Sequence, residues 1–526
     1  MRLRDPRAIG TLRSLLPYVI VLTLLVGAAQ AEVNRSSGLI AEKTEWRNPY
    51  YIVDSSVEGP TLLITGGLHG NEPAGYRAAE QIRHWPIRRG KLVVVPRVNT
   101  PGLKQNTRWL PGEEKATRNA NRNFPKSGER NEARSVLVKA LWEFIREQKP
   151  DWVVDMHEGF DFHIANPKSD GSSIIYFDTP EMQELAAGIH DEVNATIDDP
   201  DRKIVKRSKS GPIDGGLVRA TIERLGAKGF CFETTYQKQP ISTRSRQHRI
   251  MVHRLMRELE MVGDRGVNVM TSAAESPQTR VAIYDAGGTG GKGVGNLTRI
   301  LEQIPDSDSV PEFIVHHVGP PDIQAGVLNQ FDVVIFPGGS GSKEAAAIGR
   351  QGRKAISQFV ESGGGYVGIC AGAFLATAKY DWSLALVNAN TFTGNRKIPG
   401  VGVKSMWFRG KGTVKMELTD EGREILGDLS GPVELGYANG PILSPAGKKD
   451  LPEYVCLAFF RTEISKYEPQ KGTMIDTPAI VASEFGGGRA IAISPHPEGT
   501  AGLESLVRRA VAWVAGKPVR ADASSQ

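Results

Sequence analysis

The sequence predicts an α/β protein of two domains, on three observations. Apolar runs of strand length recur along the chain, and helix-like periodicity follows many of them. The 526 residues exceed one domain of roughly 100–200 residues. Residues 262–280, VGDRGVNVMTSAAESPQTR, lack an apolar period and read as a linker, after which a second strand–helix series begins. The expected division is a first domain over 45–265, a linker over 266–278 and a second domain over 279–518, the two folding separately.

The N-terminus reads as a targeting segment. Arg2, Arg4, Arg7 and Arg13 precede LLPYVIVLTLLVGAA, and Ala29-Gln30-Ala31 supplies an A-x-A site. Cleavage after Ala31 and export are expected. Loss of residues 1–31 removes four Arg and one Asp, taking the formal charge from +6 to +3. So weak a basic balance argues against a nucleic-acid partner. No other apolar run reaches membrane-spanning length, so no stable membrane span is expected after cleavage. Hydrophobic residues make up 40% and charged residues 24%, as in globular proteins. Three cysteines, Cys231, Cys370 and Cys456, do not make a disulfide scaffold, and Cys231 and Cys456 read as buried strand residues.

The first domain opens on TLLITGGLHGNEPAG, residues 61–75. Leu62, Leu63 and Ile64 form a buried-strand pattern, and Pro73 begins a helix running to about Arg83. His69 and Glu72 therefore sit where a strand hands over to a helix, the end of an open α/β sheet where sites form. KLVVVPRVN, residues 91–99, is the next strand, and polar residues 103–130 form a long loop holding Asn121 and Arg122. EARSVLVKALWEFIREQ is an amphipathic helix with Val136, Ala140 and Phe144 on its apolar stripe. DWVVDMHEG, residues 151–159, is a strand carrying His157, and KIVKRSKS, residues 203–210, a solvated loop. GGLVRATIERLG is a helix before the strand GFCFETT, which carries Glu233. TRSRQHRIMVHRLMRELEMVG closes the domain as a helix whose Arg and His residues are expected to face water. Two histidines and a carboxylate are the ligand types of a catalytic zinc, and a guanidinium forks onto a carboxylate.

In the second domain RVAIYD, FIVHHVG and FDVVIFPGGSG are strands, and KEAAAIGRQGRKAISQFVESGG is a helix. GGTGGKGVG, residues 287–295, departs from the phosphate-loop pattern at Ala286 and Gly293 and reads as a strand-to-helix turn. GGYVGICAGAFLA sets Cys370 between a strand and a helix of small residues, as in a nucleophile elbow. IVASEFGGGRAIAISPHPEGT forms a hairpin followed by His496 and Glu498, which completes an activated-thiol set.

HGNEPAG, NRNFP, DMHEG and FETT resemble the M14-type zinc carboxypeptidases, in particular the succinylglutamate desuccinylase/aspartoacylase branch, over residues 45–265. The resemblance implies a mixed-sheet α/β domain in which His69, Glu72 and His157 hold Zn²⁺ and Glu233 is the general base. It makes Asn121 and Arg122 the binders of a substrate carboxylate, with Arg108 or Arg118 as a second substrate arginine. Asn119 and Ala120 depart from the acidic residue and leucine usual before the Asn-Arg pair.

FPGGSG, GICAGAF, YANGP and SPHPE resemble class I glutamine amidotransferase-like domains, closer still to the one at the N-terminus of some biotin–protein ligases. That resemblance implies a flavodoxin-like doubly wound sheet. It makes Cys370 the nucleophile, His496 the base and Glu498 its orienter, with the N–H groups of Gly339 and Ala371 as oxyanion hole. Two function classes follow from the sequence. One is an exported zinc hydrolase cleaving an amide, at a peptide C-terminus or in an N-acyl amino acid, next to a substrate carboxylate. The other is an exported binding protein with two non-catalytic enzyme-like domains. Stoichiometric zinc separates them.

Overall fold

The computed structural model describes residues 33–264, 266–272, 277–303, 312–392, 394–405, 409–465 and 472–517. The targeting segment, residues 1–31, and residues 273–276 of the linker lie outside the described residues.

The first half contains β1 (Asn34–Ile40), β2 (Asn48–Asp54), β3 (Thr61–Gly66), α1 (Pro73–Ile82), β4 (Lys91–Val95), α2 (Thr100–Gln105), α3 (Val136–Gln148) and β5 (Trp152–Gly159). It continues with β6 (Ser173–Ile175), α4 (Pro180–Asn194), β7 (Val205–Arg207), α5 (Leu217–Leu225), β8 (Lys228–Thr235) and α6 (Ile241–Glu258). These strands form one mixed sheet in the order β1-β2-β4-β3-β5-β8-β6-β7, with β4, β3, β5 and β8 parallel. The central strands are buried on both faces. Leu62 and Ile64 pack towards Ala78, Ile82, Met251 and Leu255, while Leu63 and Val153 pack towards Leu137, Leu141, Ile145 and Leu217. Each such side chain contributes roughly 1.5–3 kcal/mol by leaving water. Chain order runs from β3 to β4 on one side and to β5 on the other, so the C-terminal ends of β3 and β5 flank a switch point. Helix α1 lies hard against that end: a Cβ on Gly75 would meet the Met156 carbonyl oxygen at 2.4 Å.

The second half contains β9 (Thr279–Tyr284), α7 (Gly291–Glu302), β10 (Phe313–Val318), α8 (Pro320–Gln324), β11 (Val333–Phe336), α9 (Gly341–Glu361), β12 (Gly365–Ile369) and α10 (Ala371–Ala376). After these come β13 (Ala389–Thr391), β14 (Asn395–Ile398), β15 (Gly402–Ser405), β16 (Lys411–Leu418), α11 (Asp420–Leu426), β17 (Val433–Ala438) and β18 (Leu443–Pro445). The half ends with β19 (Val455–Phe460), β20 (Pro478–Phe485), β21 (Gly488–Ile493) and α12 (Glu504–Val514). The parallel strands run β10-β9-β11-β12-β21, the flavodoxin-like order, and antiparallel β20, β19, β16 and β17 extend the sheet.

Several expectations need correction. The buried stripe of α3 is Leu137, Val138, Leu141, Trp142, Phe144 and Ile145; Val136 is 52% exposed, because the face towards the sheet is one residue further on. Residues 205–207 form edge strand β7 rather than loop. Helix α9 is interrupted at Gly349, where φ is +70°. Cys456 is half-buried. The polar residues of α6 do not face water: Arg244, His248, Arg249 and His253 are buried. The helix lies between its own sheet and the second half, so Arg244 pairs with Glu158 of β5, while Arg246 and Arg249 pair with Asp322 of α8 at 2.7 and 2.8 Å. Linker residue Met270 is buried as well, its N–H bonded to Gln330 at 2.8 Å. Among the described residues no helix is long and apolar enough to cross a membrane.

Candidate active sites

At the switch point of the first sheet, Gly67 takes a φ of +68° and turns the chain out of β3. His69 follows, and Glu72 caps α1 without bonding the helix through its side chain. Its two carboxylate oxygens are thus left to the histidines: Oε1 meets His69 Nδ1 and Oε2 meets His157 Nδ1, both at 2.8 Å. The three residues are each only 2% exposed, and their ligand atoms lie within 4.8 Å of one another. Parallel pairing of β5 with β8 sets Glu233 directly beside His157.

Each imidazole is held from behind. His157 Nε2 meets Asp155 Oδ2 at 2.6 Å, and Thr65 donates to the other Asp155 oxygen at 2.7 Å. His69 Nε2 meets Asn119 Oδ1 at 3.1 Å, so the residue that departs from the family pattern orients a ring. Both rings therefore present Nδ1 to the centre of the cluster. A metal-binding histidine typically has its other nitrogen fixed by just such an oxygen acceptor. Asp155 and Asn119 escaped the sequence reading. Asp155 has a weak signal, since a carboxylate two positions before a strand histidine shares its face.

Glu72, Asp155 and Glu233 are three buried carboxyl groups, and Arg108, at 2.5 Å from Glu72, is a permanent positive charge among them. Burial pushes Glu233 up to about 8. Burial also disfavours charge on Glu72, but the two histidines outweigh it and hold its carboxyl well below the usual range. Burial lowers His69, whereas Asp155 and Glu72 overcome burial at His157 and raise it well above normal. The donor set, two imidazole nitrogens and a carboxylate oxygen, fits zinc.

Asn121 sets its side-chain amide nitrogen 3.3 Å from His157 Nε2, whose proton goes to Asp155, and its side-chain oxygen accepts from the Leu217 N–H at 3.0 Å. Arg122 is exposed and donates to the Asn121 carbonyl at 2.6 Å. Partial burial and then the charge of Arg108 disfavour its own charge, which places the two guanidinium groups in one electrostatic neighbourhood. Arg118 instead stacks on Trp109 at 4.3 Å.

In the second half Cys370 caps α10 with φ 51° and ψ −94°, a strained elbow between β12 and the helix. The elbow closes because Gly372 lies against β11, where an added Cβ would meet the Phe336 oxygen at 2.2 Å. The Cys370 thiol donates to the Ala438 carbonyl at 3.4 Å, and His496 Nδ1 meets Glu498 Oε1 at 2.8 Å. Burial lowers His496, but its contacts with Cys370 and Glu498 outweigh this and push it up to about 10. Cys370, His496 and Gly339 line one cavity, and Ala371 follows the thiol as the first residue of α10.

Residues 58–259 match the family described as succinylglutamate desuccinylase/aspartoacylase catalytic domain, and residues 279–512 the family described as biotin-protein ligase, N terminal. The N-alpha-acetyl-L-2,4-diaminobutyric acid deacetylase of Halomonas elongata is 35% identical over 108 residues, which cover 19% of this chain and 29% of that protein. Csd4 of Helicobacter pylori, described as a D,L-carboxypeptidase, aligns at 22% identity and a TM-score of 0.34 over 39% of this chain and 52% of its own. An aspartoacylase family protein of Mesorhizobium loti aligns at 21% identity and a TM-score of 0.32 over 44% of this chain and 69% of its own. The chain thus spans less than a third of the curated relative and about half of Csd4.

Proposed function

We propose that this chain, with a succinylglutamate desuccinylase/aspartoacylase catalytic domain in its first half and a domain of the biotin-protein ligase N-terminal kind in its second, is an exported zinc-dependent hydrolase. Its substrate is an amide next to a carboxylate, in an N-acyl amino acid or at a peptide C-terminus. The observation that carries the reading is the buried His69–Glu72–His157 cluster beside Glu233.

His69, Glu72 and His157 would hold the zinc. When bound, zinc supplies Lewis acidity towards a carbonyl and acidifies a water ligand. Burial pushes Glu233 up to about 8, but a cation held beside it would favour the ionised form, in which it takes the proton of the attacking water on its carboxylate and hands it to the leaving nitrogen. Arg122 receives the substrate carboxylate, which turns binding into orientation. Arg108 serves as the second substrate arginine, because it already reaches Glu72 whereas Arg118 is stacked on Trp109. The order of basic residues, apolar run and Ala29-Gln30-Ala31 supports export, and N-terminal sequencing of the native protein should begin at Glu32.

The test is metal analysis joined to a screen of the zinc form against N-acyl amino acids and peptides. His157→Ala should lose most zinc. Glu233→Gln should keep one zinc per chain and lose roughly 10²–10⁴-fold in rate. Arg122→Ala should keep zinc and raise KM for the carboxylate-bearing substrates. A parent that binds no zinc, or a Glu233→Gln variant as fast as the parent, sinks the proposal.

A further inference from the structure

The cavity at Cys370 has a volume of about 890 Å³. That is the size class of sites for whole drug-sized molecules, roughly 300–1,000 Å³, and far larger than a side-chain amide needs. Its location follows from topology, since the C-terminal ends of β9, β11 and β12 open onto it at the switch point of the second sheet.

The lining sorts into three kinds of surface. Cys370, His496 and Glu498 form the reactive edge. Tyr380 and Trp382 form a flat apolar wall, their rings stacked at 4.4 Å and 8°. Lys292 and Lys411 supply positive charge, and neither has a carboxylate partner among the described residues. Among the described residues of the lining the one carboxylate, Glu498, is buried and already engaged by His496. An open cavity with two unpaired ammonium groups attracts anions.

We propose that this cavity is a second hydrolytic site, independent of metal, for acyl compounds that join an anionic group to a flat apolar one. It goes beyond the function proposed for the first half. Glu498 holds His496 Nδ1, which leaves Nε2 for the thiol. As Sγ bonds to the acyl carbon, the thiol proton passes to Nε2. The bond from that carbon to the leaving nitrogen or oxygen breaks, and the leaving group takes the proton. Water then attacks the thioester and gives a proton to His496. The carbon–sulfur bond breaks, the proton returns to Sγ, and the acyl group leaves as a carboxylic acid. Water is the acceptor in keeping with a chain whose other half has a hydrolase fold.

The test compares two esters on the full-length chain treated with chelator: 4-nitrophenyl hemisuccinate, whose acyl chain ends in a carboxylate, and 4-nitrophenyl butyrate, its neutral counterpart of equal length. Nitrophenolate release should favour the hemisuccinate about tenfold in kcat/KM, the scale of two partly exposed charge contacts. Cys370→Ala should lose roughly a thousandfold or more. The double variant Lys292→Ala/Lys411→Ala should raise KM for the hemisuccinate about tenfold. The chelator empties the metal centre, so failure there is read separately. Equal kcat/KM for the two esters, turnover that survives Cys370→Ala, or no release above the buffer rate would each overturn the proposal.

Discussion

Asp155→Asn isolates one charge in the first site. The native carboxylate is 1% exposed and sits between Thr65 and His157 at 2.7 and 2.6 Å. Asparagine keeps the shape and, with its oxygen towards His157, still accepts from Nε2. Its NH₂ then faces Thr65, whose hydroxyl has the Val154 carbonyl as an alternative acceptor at 3.5 Å. The ring should stay in place while the negative charge behind it disappears, making Nδ1 a poorer donor to a cation. Loss of such a supporting group typically costs 10–100-fold in metal affinity, or about 1.4–2.7 kcal/mol. Competition against a chromophoric chelator gives the zinc dissociation constant of parent and variant, and far-ultraviolet circular dichroism checks the fold. A folded variant binding zinc as tightly as the parent would refute the role given to Asp155.

Two further predictions concern the second half and its junction. Asp322→Ala leaves Arg249, which is fully buried, without its carboxylate, and should lower unfolding stability in denaturant by about 3–5 kcal/mol; a loss below about 1 kcal/mol would mean water reaches that guanidinium. Glu344 is buried, neither of its oxygens has a partner among the described residues, and burial pushes its carboxyl up to about 8. Its folded-state value thus lies above the unfolded one, so the folded chain binds the extra proton. Stability should be greatest below about pH 4.5 as far as this group is concerned, fall as pH rises to about 8, and be flat beyond. Glu344→Gln should remove that slope and gain about 2–3 kcal/mol at pH 7, and an unchanged slope in pH-dependent melts would show the group to be solvated.

The central parallel strands were legible because buried parallel strands are short apolar runs whose polar endings mark the sheet rim. His69, Glu72, His157 and Glu233 each stand in or just after such a run, so a linear reading finds them as candidates. Their partners were harder. Asn119 reaches His69 only through the fold of the long loop, and Asp155 gains its meaning from Thr65 on the neighbouring strand. The arginines of α6 were misread for a related reason. A helix taken alone assigns its charges to water, and only packing against the second half gives Arg246 and Arg249 a buried carboxylate. The wall of Tyr380 and Trp382 lies in a connection that carries no pattern of its own.

Helix α6 touches both sites' supports. Arg244 in its first turn pairs with Glu158, whose N–H bonds Glu72, while the Ile241 N–H bonds Asp285 at 2.9 Å and the Ser242 hydroxyl bonds the Asp285 carbonyl. Asp285 in turn meets His317 at 3.1 Å, and His317 meets Thr298 on the helix whose start lines the thiol cavity. One rod therefore clamps the rims of two sheets. The peptide connection at 273–276 is then not what keeps the halves together: a single cut there should leave a non-covalent pair that elutes as one species and melts in one transition, contrary to the separate folding expected from the linker's composition.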